Sequence, residues 1–215
     1  MPVARESLLD AASRALARRP WSSVRMVDVA AAAGVSRQTL YNEFGSKDGL
    51  ARALVLQEAH GTLAGIDRAL AGPDDPVERL VAAAEWTAAA ARRSALARAL
   101  LTGCWSERLP PPALSAAPWP PAGEARRTAD APPAWPAGFL AFARDRAAAA
   151  LAGPGARGAD LAALAATCEL VFRLALSCVL VPPDGTEVAA LVRGALRGTG
   201  PVEPAPPLSA VTRGQ

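Results

Sequence analysis

Residues 24–50, VRMVDVAAAAGVSRQTLYNEFGSKDGL, carry the pattern on which the fold of the whole chain turns. From Val24 to Ala33 it is that of a short helix in which Val29, Ala30 and Ala33 share one face, and the small alanines let a neighbouring helix come close. Gly34 ends it, because glycine reaches the left-handed C′ conformation without Cβ strain and lets the chain turn sharply. Ser36 follows as an N-cap whose hydroxyl accepts an orphan backbone N–H of the next helix, expected over Arg37 to about Phe44. Two helices joined by so tight a glycine turn make a helix-turn-helix candidate.

On a helical wheel of about 100° per residue the second helix divides in two. Leu40 and Phe44 lie together and face inward, whereas Gln38, Tyr41 and Asn42 cluster opposite, with Arg37 and Thr39 at the margins. Glutamine and asparagine amides pair bidentately with adenine edges, arginine pairs with guanine or phosphate, and the Thr39 and Tyr41 hydroxyls can hold phosphate oxygens. A further helix starts at Ser46, and Lys47 in its first turn is placed to hold a backbone phosphate. The other reading of the segment by itself is a helical corner whose polar residues are only solvated.

The run GVSRQTLYNEFGSKDGL, preceded by VRMVDVAAAA and by an amphipathic first helix, resembles the N-terminal domain of TetR-family transcriptional repressors over roughly the first 50 residues. A generic helix-turn-helix needs neither the Leu40–Tyr41 pair nor the trailing Phe44-x-Ser46-Lys47. The resemblance implies an all-α protein: an N-terminal three-helix DNA-binding domain over 1–50, and a C-terminal helical ligand-binding and dimerisation domain over 51–200. It also implies a homodimer on a palindromic double-stranded operator, and a small-molecule effector. The DNA-contacting candidates are Arg25, Ser36, Arg37, Gln38, Thr39, Tyr41, Asn42 and Lys47. The chain departs from the family pattern twice. Arg25 stands where members often carry a capping Ser or Thr, with Ser23 as a possible cap instead. Gly49 replaces a better helix former and breaks the usual capping box, at a cost of up to about 1 kcal/mol against alanine.

Composition fits this reading without carrying it. Hydrophobic residues make up 51% and charged residues 20% of 215, enough for a sizeable core, and the net charge of +3 is too small to argue for nucleic acid by itself. Its placement says more: residues 1–52 hold eight basic and five acidic residues, while the remainder holds fifteen of each. Lys47 is the sole lysine and Tyr41 the sole tyrosine. Cys104, Cys168 and Cys178 make no disulfide framework. The last two, if on one helix, stand about 15 Å apart along it, beyond the roughly 4–7 Å a disulfide spans. His60 is the only histidine and no Cys or His lies at metal-ligand spacing, so neither metal nor cofactor is expected. Arg5, Glu6 and Asp10 interrupt any apolar N-terminal run, and no stretch reaches transmembrane length; the expectation is a soluble cytoplasmic protein.

Outward from the central stretch, residues 4–18 read as the first helix, with Leu8, Leu9, Ala12 and Leu16 on one face. Pro20 stops it, and Trp21 plugs the three-helix core. A fourth helix, from Ser46 to about Leu70, joins head to body; in the family it is the lever that answers ligand. One long helix is expected from about Pro76 to Leu101, then a proline-rich loop or lid over 102–137 containing Trp105, Trp119 and Trp135. Helices over Gly138–Ala152, about Ala159–Leu180 and about Thr186–Arg197 follow, with a flexible tail over 201–215. The helix from Ala159 is the most apolar and must be buried on more than one side. Within the family's four-helix dimer bundle, Leu161, Leu164, Cys168, Leu191 and Ala195 are the interface candidates; a packed monomer core is the alternative. Trp86, Trp105, Phe139 and Phe172 are the ligand-pocket candidates, and Trp86 reads equally well as simple core. No catalytic signature such as G-x-S-x-G, a phosphate loop or a dinucleotide fingerprint occurs, so no enzyme is expected. A helical small-molecule-binding protein without specific DNA recognition remains the competing function.

Overall fold

The computed structural model describes residues 2–110, 137–153, 157–181 and 187–198. Among them the chain is all-helical. The helices are α1 (Pro2–Arg18), α2 (Met26–Ala32), α3 (Arg37–Phe44), α4 (Lys47–Ala71), α5 (Pro76–Arg93), α6 (Ala95–Thr102), α7 (Ala137–Leu151), α8 (Gly158–Leu180) and α9 (Val188–Gly198), with a 3-10 turn at Trp21–Ser23. Most of the proline-rich segment, with Trp119 and Trp135, lies outside the described residues, as do Thr186 and the tail over 201–215.

Two hydrophobic cores form, and the chain passes from one to the other along α4. The first gathers Leu8 and Ala12 of α1, Trp21, Val29 and Ala30 of α2, Leu40 and Phe44 of α3, and Leu50 and Leu54 of α4. Trp21 plugs this core as expected, 4% exposed. The second takes over at Val55 and runs through α5 to α9, with Leu100, Phe139, Val171, Phe172 and Val192 among its fully buried side chains. Leu16 packs against both.

The expected single helix from Pro76 to Leu101 is instead two. Asp75 caps α5, its carboxylate accepting from the N–H groups of Val77 (2.6 Å) and Glu78 (3.2 Å), with Pro76 in the first turn. At Ser94 the backbone leaves helical geometry (φ −127°, ψ 121°), and the Ser94 hydroxyl accepts from Ala97 N–H at 3.1 Å, opening α6. Gly103 at φ 75° closes α6. A serine N-cap after Arg92 and Arg93 is a stop-and-start signal that the continuous alanine pattern hides.

α4 and α5 lie so close at Gly65 that a Cβ there would collide with the Trp86 indole, whose Nε1 donates to the Thr62 carbonyl at 3.3 Å. Paired guanidinium–carboxylate contacts tie the outer helices on: Arg146 to Asp67 joins α7 to α4 (2.7 Å), and Arg193 to Glu78 joins α9 to α5 (2.7 Å).

α8 overturns the expectation that no stretch reaches membrane length. It has 23 residues, a mean hydropathy of 1.8 over its most apolar 18-residue window, and by length and composition could cross a bilayer. It packs instead against α5, α7 and α9, through Cys168, Val171, Phe172 and Ala175. Yet only 33% of that window is buried.

Candidate nucleic-acid interface

The turn between α2 and α3 follows the sequence closely. Gly34 takes φ +69°, and Ser36, extended at φ −71° and ψ 153°, accepts from the Thr39 N–H at 3.0 Å. Its hydroxyl also lies 2.9 Å from that of Thr39, so the two hydroxyls at the start of α3 are held together. Leu40 and Phe44 are buried, while Arg37, Gln38, Tyr41 and Asn42 are exposed and Thr39 is half-buried. Gln38 Nε2 donates to Asn42 Oδ1 at 2.8 Å across one helical turn, which fixes the two amides as a pair on the outer face. A pair already oriented loses less rotamer freedom when it meets a base edge.

Two contacts missed by the sequence reading brace this helix from behind. Arg5 of α1 donates to the Glu43 carbonyl (3.4 Å), approaches the Glu43 carboxylate (3.6 Å) and stacks 4.8 Å over the Phe44 ring. It thereby neutralises the one carboxylate on α3. Gly49 is the second. A Cβ at this position would run into the Phe44 carbonyl oxygen, so glycine lets the start of α4 pass under the end of α3. Alanine there would trade its helix propensity for a backbone clash, the reverse of the sign expected from propensity alone. Ser46 supplies the cap, accepting from Gly49 N–H at 3.1 Å. The Arg5 contact bridges 38 residues and leaves no local signal.

Lys47 is held rather than loose. Its ammonium donates to the Ser22 carbonyl at 3.2 Å and sits 5.3 Å over the Trp21 ring, leaving further N–H donors for another acceptor. Burial lowers its pKa, and neighbouring Asp48 opposes that shift. Arg25 stands at the N-cap position of α2 with φ −105° and makes no side-chain cap; Ser23, within the 3-10 turn, makes none either. Arg19 engages Asp28 at 3.0 Å, leaving Arg25 as the cation at the entrance to α2.

In the body the candidates disperse. Phe139 and Phe172 are each 1% exposed and belong to the core. Trp105 packs at its edge, its indole N–H donating to the Pro110 carbonyl. Trp86 alone lines one of the two cavities described below, a groove of about 330 Å³ between α1, α4 and α5, and Arg93 stacks 4.9 Å over its ring. Of the interface candidates, Leu161 is exposed and Leu164, Leu191 and Ala195 are half-buried. Cys168 is the exception: it is fully buried, and burial pushes its thiol up to about 11, which disfavours the reactive thiolate. Leu170, on the far side of α8 from Cys168, is exposed, as are Leu180 and the C-cap Val181, residues the sequence reading did not choose.

A capped, braced helix that follows a glycine turn and turns a paired amide face to solvent defines a helix-turn-helix nucleic-acid-binding module. Residues 8–54 match the model of the bacterial regulatory proteins of the tetR family. Over 55 residues it is 54% identical to the HTH-type transcriptional regulator AlkX of Mycobacterium tuberculosis; the match covers 26% of either chain, so this chain spans about a quarter of that curated relative's length. The crystal structure of the TetR family repressor AlkX from Dietzia sp., described as implicated in biodegradation of n-alkanes, aligns with a TM-score of 0.50 at 26% identity, covering 90% of this chain and 91% of that one. A regulator of the TetR/AcrR family from Thermobifida fusca aligns at 0.54 with 17% identity over 90% and 94%, a likeness of fold alone.

Proposed function

We propose that the chain is a ligand-responsive transcriptional repressor that binds a palindromic operator as a homodimer. The observation that carries this reading is the Gln38–Asn42 pair, exposed on a helix whose inner face and both ends are satisfied. Residues 1–50 form the DNA-binding head and 51–200 the effector-binding and dimerising body. Gln38 and Asn42 read base edges; Arg37, Tyr41, Thr39, Ser36, Arg25 and Lys47 hold phosphates on either side. Two recognition helices enter successive major grooves about 34 Å apart, so any ligand that changes the separation of the heads releases the DNA.

Exposed apolar side chains on α8, Leu161, Leu170 and Leu180, with Val181 at its end, support the dimer, and the packing of α8 against α9 fits a bundle in which both pair with their copies. The Glu169–Arg173 ion pair in the middle of α8 suits a protein interface better than a bilayer. The effector is a small, mostly apolar molecule, and the protein works in the cytoplasm, where its DNA is.

The test is a titration of the purified protein against the DNA flanking its own gene, beside random DNA, at two salt concentrations. Strong preference for a palindromic stretch is expected. Lys47→Ala should weaken binding to all sequences and make the salt dependence shallower by about one unit per protomer. Equal affinity for both DNAs would overturn specific recognition.

A further inference from the structure

A cavity of about 520 Å³ opens where head meets body, walled by α1, α4, the α5–α6 elbow at Ser94 and the segment that follows α6. It is separate from the core around Phe139 and Phe172, and its size falls within the range of small-molecule sites. Its floor is apolar, with Leu16, Leu54, Leu96 and Leu109. Its charge is one-sided: Arg92, Arg93, Arg98 and Arg108 line it against the single carboxylate of Glu58. Arg93 is committed to the Trp86 ring. Among the described residues, no ion pair engages the side chains of Arg92, Arg98 or Arg108. The adjoining groove of about 330 Å³ carries Asp10 and Glu58 with only Arg93, so the positive charge is gathered at the larger cavity.

The geometry points to a binding site for a small organic anion at this head–body junction, the carboxylate, sulfonate or phosphate held by Arg92, Arg98 and Arg108 and the apolar part lying on Leu16 and Leu96. Guanidinium forks suit such groups through charge-assisted hydrogen bonds. The backbone makes the site consequential. Trp21, at the centre of the head core, donates its N–H to the Arg108 carbonyl at 2.8 Å, and Leu16 packs against both cores. A ligand here touches both units at their hinge and sets the angle of the head on the body, apart from any effector within the helical body.

The site is tested on the full chain without DNA, so its outcome stands apart from that of the operator titration. The probe is 8-anilinonaphthalene-1-sulfonate, an apolar anion followed by its fluorescence. Wild type should bind it with an affinity that falls as salt rises. The paired variant Arg98→Ala, Arg108→Ala should bind at least about tenfold more weakly. Ala17→Trp, which fills the mouth from α1 without changing charge, should do the same, and Arg197→Ala on α9 should leave the titration unchanged. Circular dichroism at the same temperature checks that the helices persist in each variant. No binding by wild type, or equal affinity in wild type, the paired arginine variant and Ala17→Trp, would overturn the assignment.

Discussion

The head and the body present opposite surfaces at the places where each would meet something else. α3 buries Leu40 and Phe44 and turns Arg37, Gln38, Tyr41 and Asn42 to solvent, with Gln38 and Asn42 paired to each other and Glu43 held by Arg5 of α1. α8 buries Cys168, Val171 and Phe172 and still leaves Leu161, Leu170, Leu180 and Val181 open. A polar outer face fits a charged, hydrated partner such as DNA; an apolar one is unfinished until another apolar surface covers it. The head thus offers a finished surface as one copy, whereas the body leaves apolar side chains that the proposed dimer would cover.

The strongest way to break this contrast is to empty the head core. Leu40→Ala should destabilise the head by about 3 kcal/mol, the usual range for a fully buried leucine. With two separate cores, hydrogen exchange should show α2 and α3 losing protection while α5 and α8 keep theirs. Uniform loss across both would make head and body one cooperative unit. Next in size, Leu170→Arg should weaken self-association about a hundredfold by placing a charge on an apolar interface, with helix content unchanged; sedimentation showing an intact dimer would move the interface off this face. Asn42→Ala should reduce affinity for the specific site about tenfold, leave binding to random DNA unchanged, and shift stability by less than about 0.5 kcal/mol. Equal losses on both DNAs would reduce the amide pair to solvated surface.

The smallest effect concerns the α5–α9 clamp. The hydrogen bond from Arg193 holds the Glu78 carboxyl below its ordinary pKa. A depressed folded-state pKa means that the contribution is present above the usual glutamate range and is lost as pH falls through the lowered value. Glu78→Gln should therefore be slightly less stable than wild type near neutrality and equal to it in acid, and a slight one because both partners are exposed and screened. A difference that persisted in acid would locate the effect in packing instead.

Gly34, Ser36, Leu40 and Phe44 were legible because each acts on the backbone or side chains three or four residues away, and the rules of such short spans depend on residue type alone. The same logic made Ser94 readable in principle, but an alanine-rich window suits a continuous helix as well as two. Gly49 shows where local logic fails: propensity counts it as a cost, while only the approach of α4 to the Phe44 carbonyl reveals that a Cβ does not fit.

By itself the sequence determined the helices of the head, the turn between α2 and α3, and which side of α3 is polar, because these depend on contacts within one or two turns. Tertiary structure alone decided that Arg5 braces α3, that Cys168 faces inward while Leu170 faces out, and that three arginines meet at a head–body cavity. Those outcomes depend on crossing angles and approach distances between helices far apart in the chain, and a broadly apolar helix such as α8 offers its neighbours several faces of nearly equal hydrophobicity. Packing, not periodicity, chose among them.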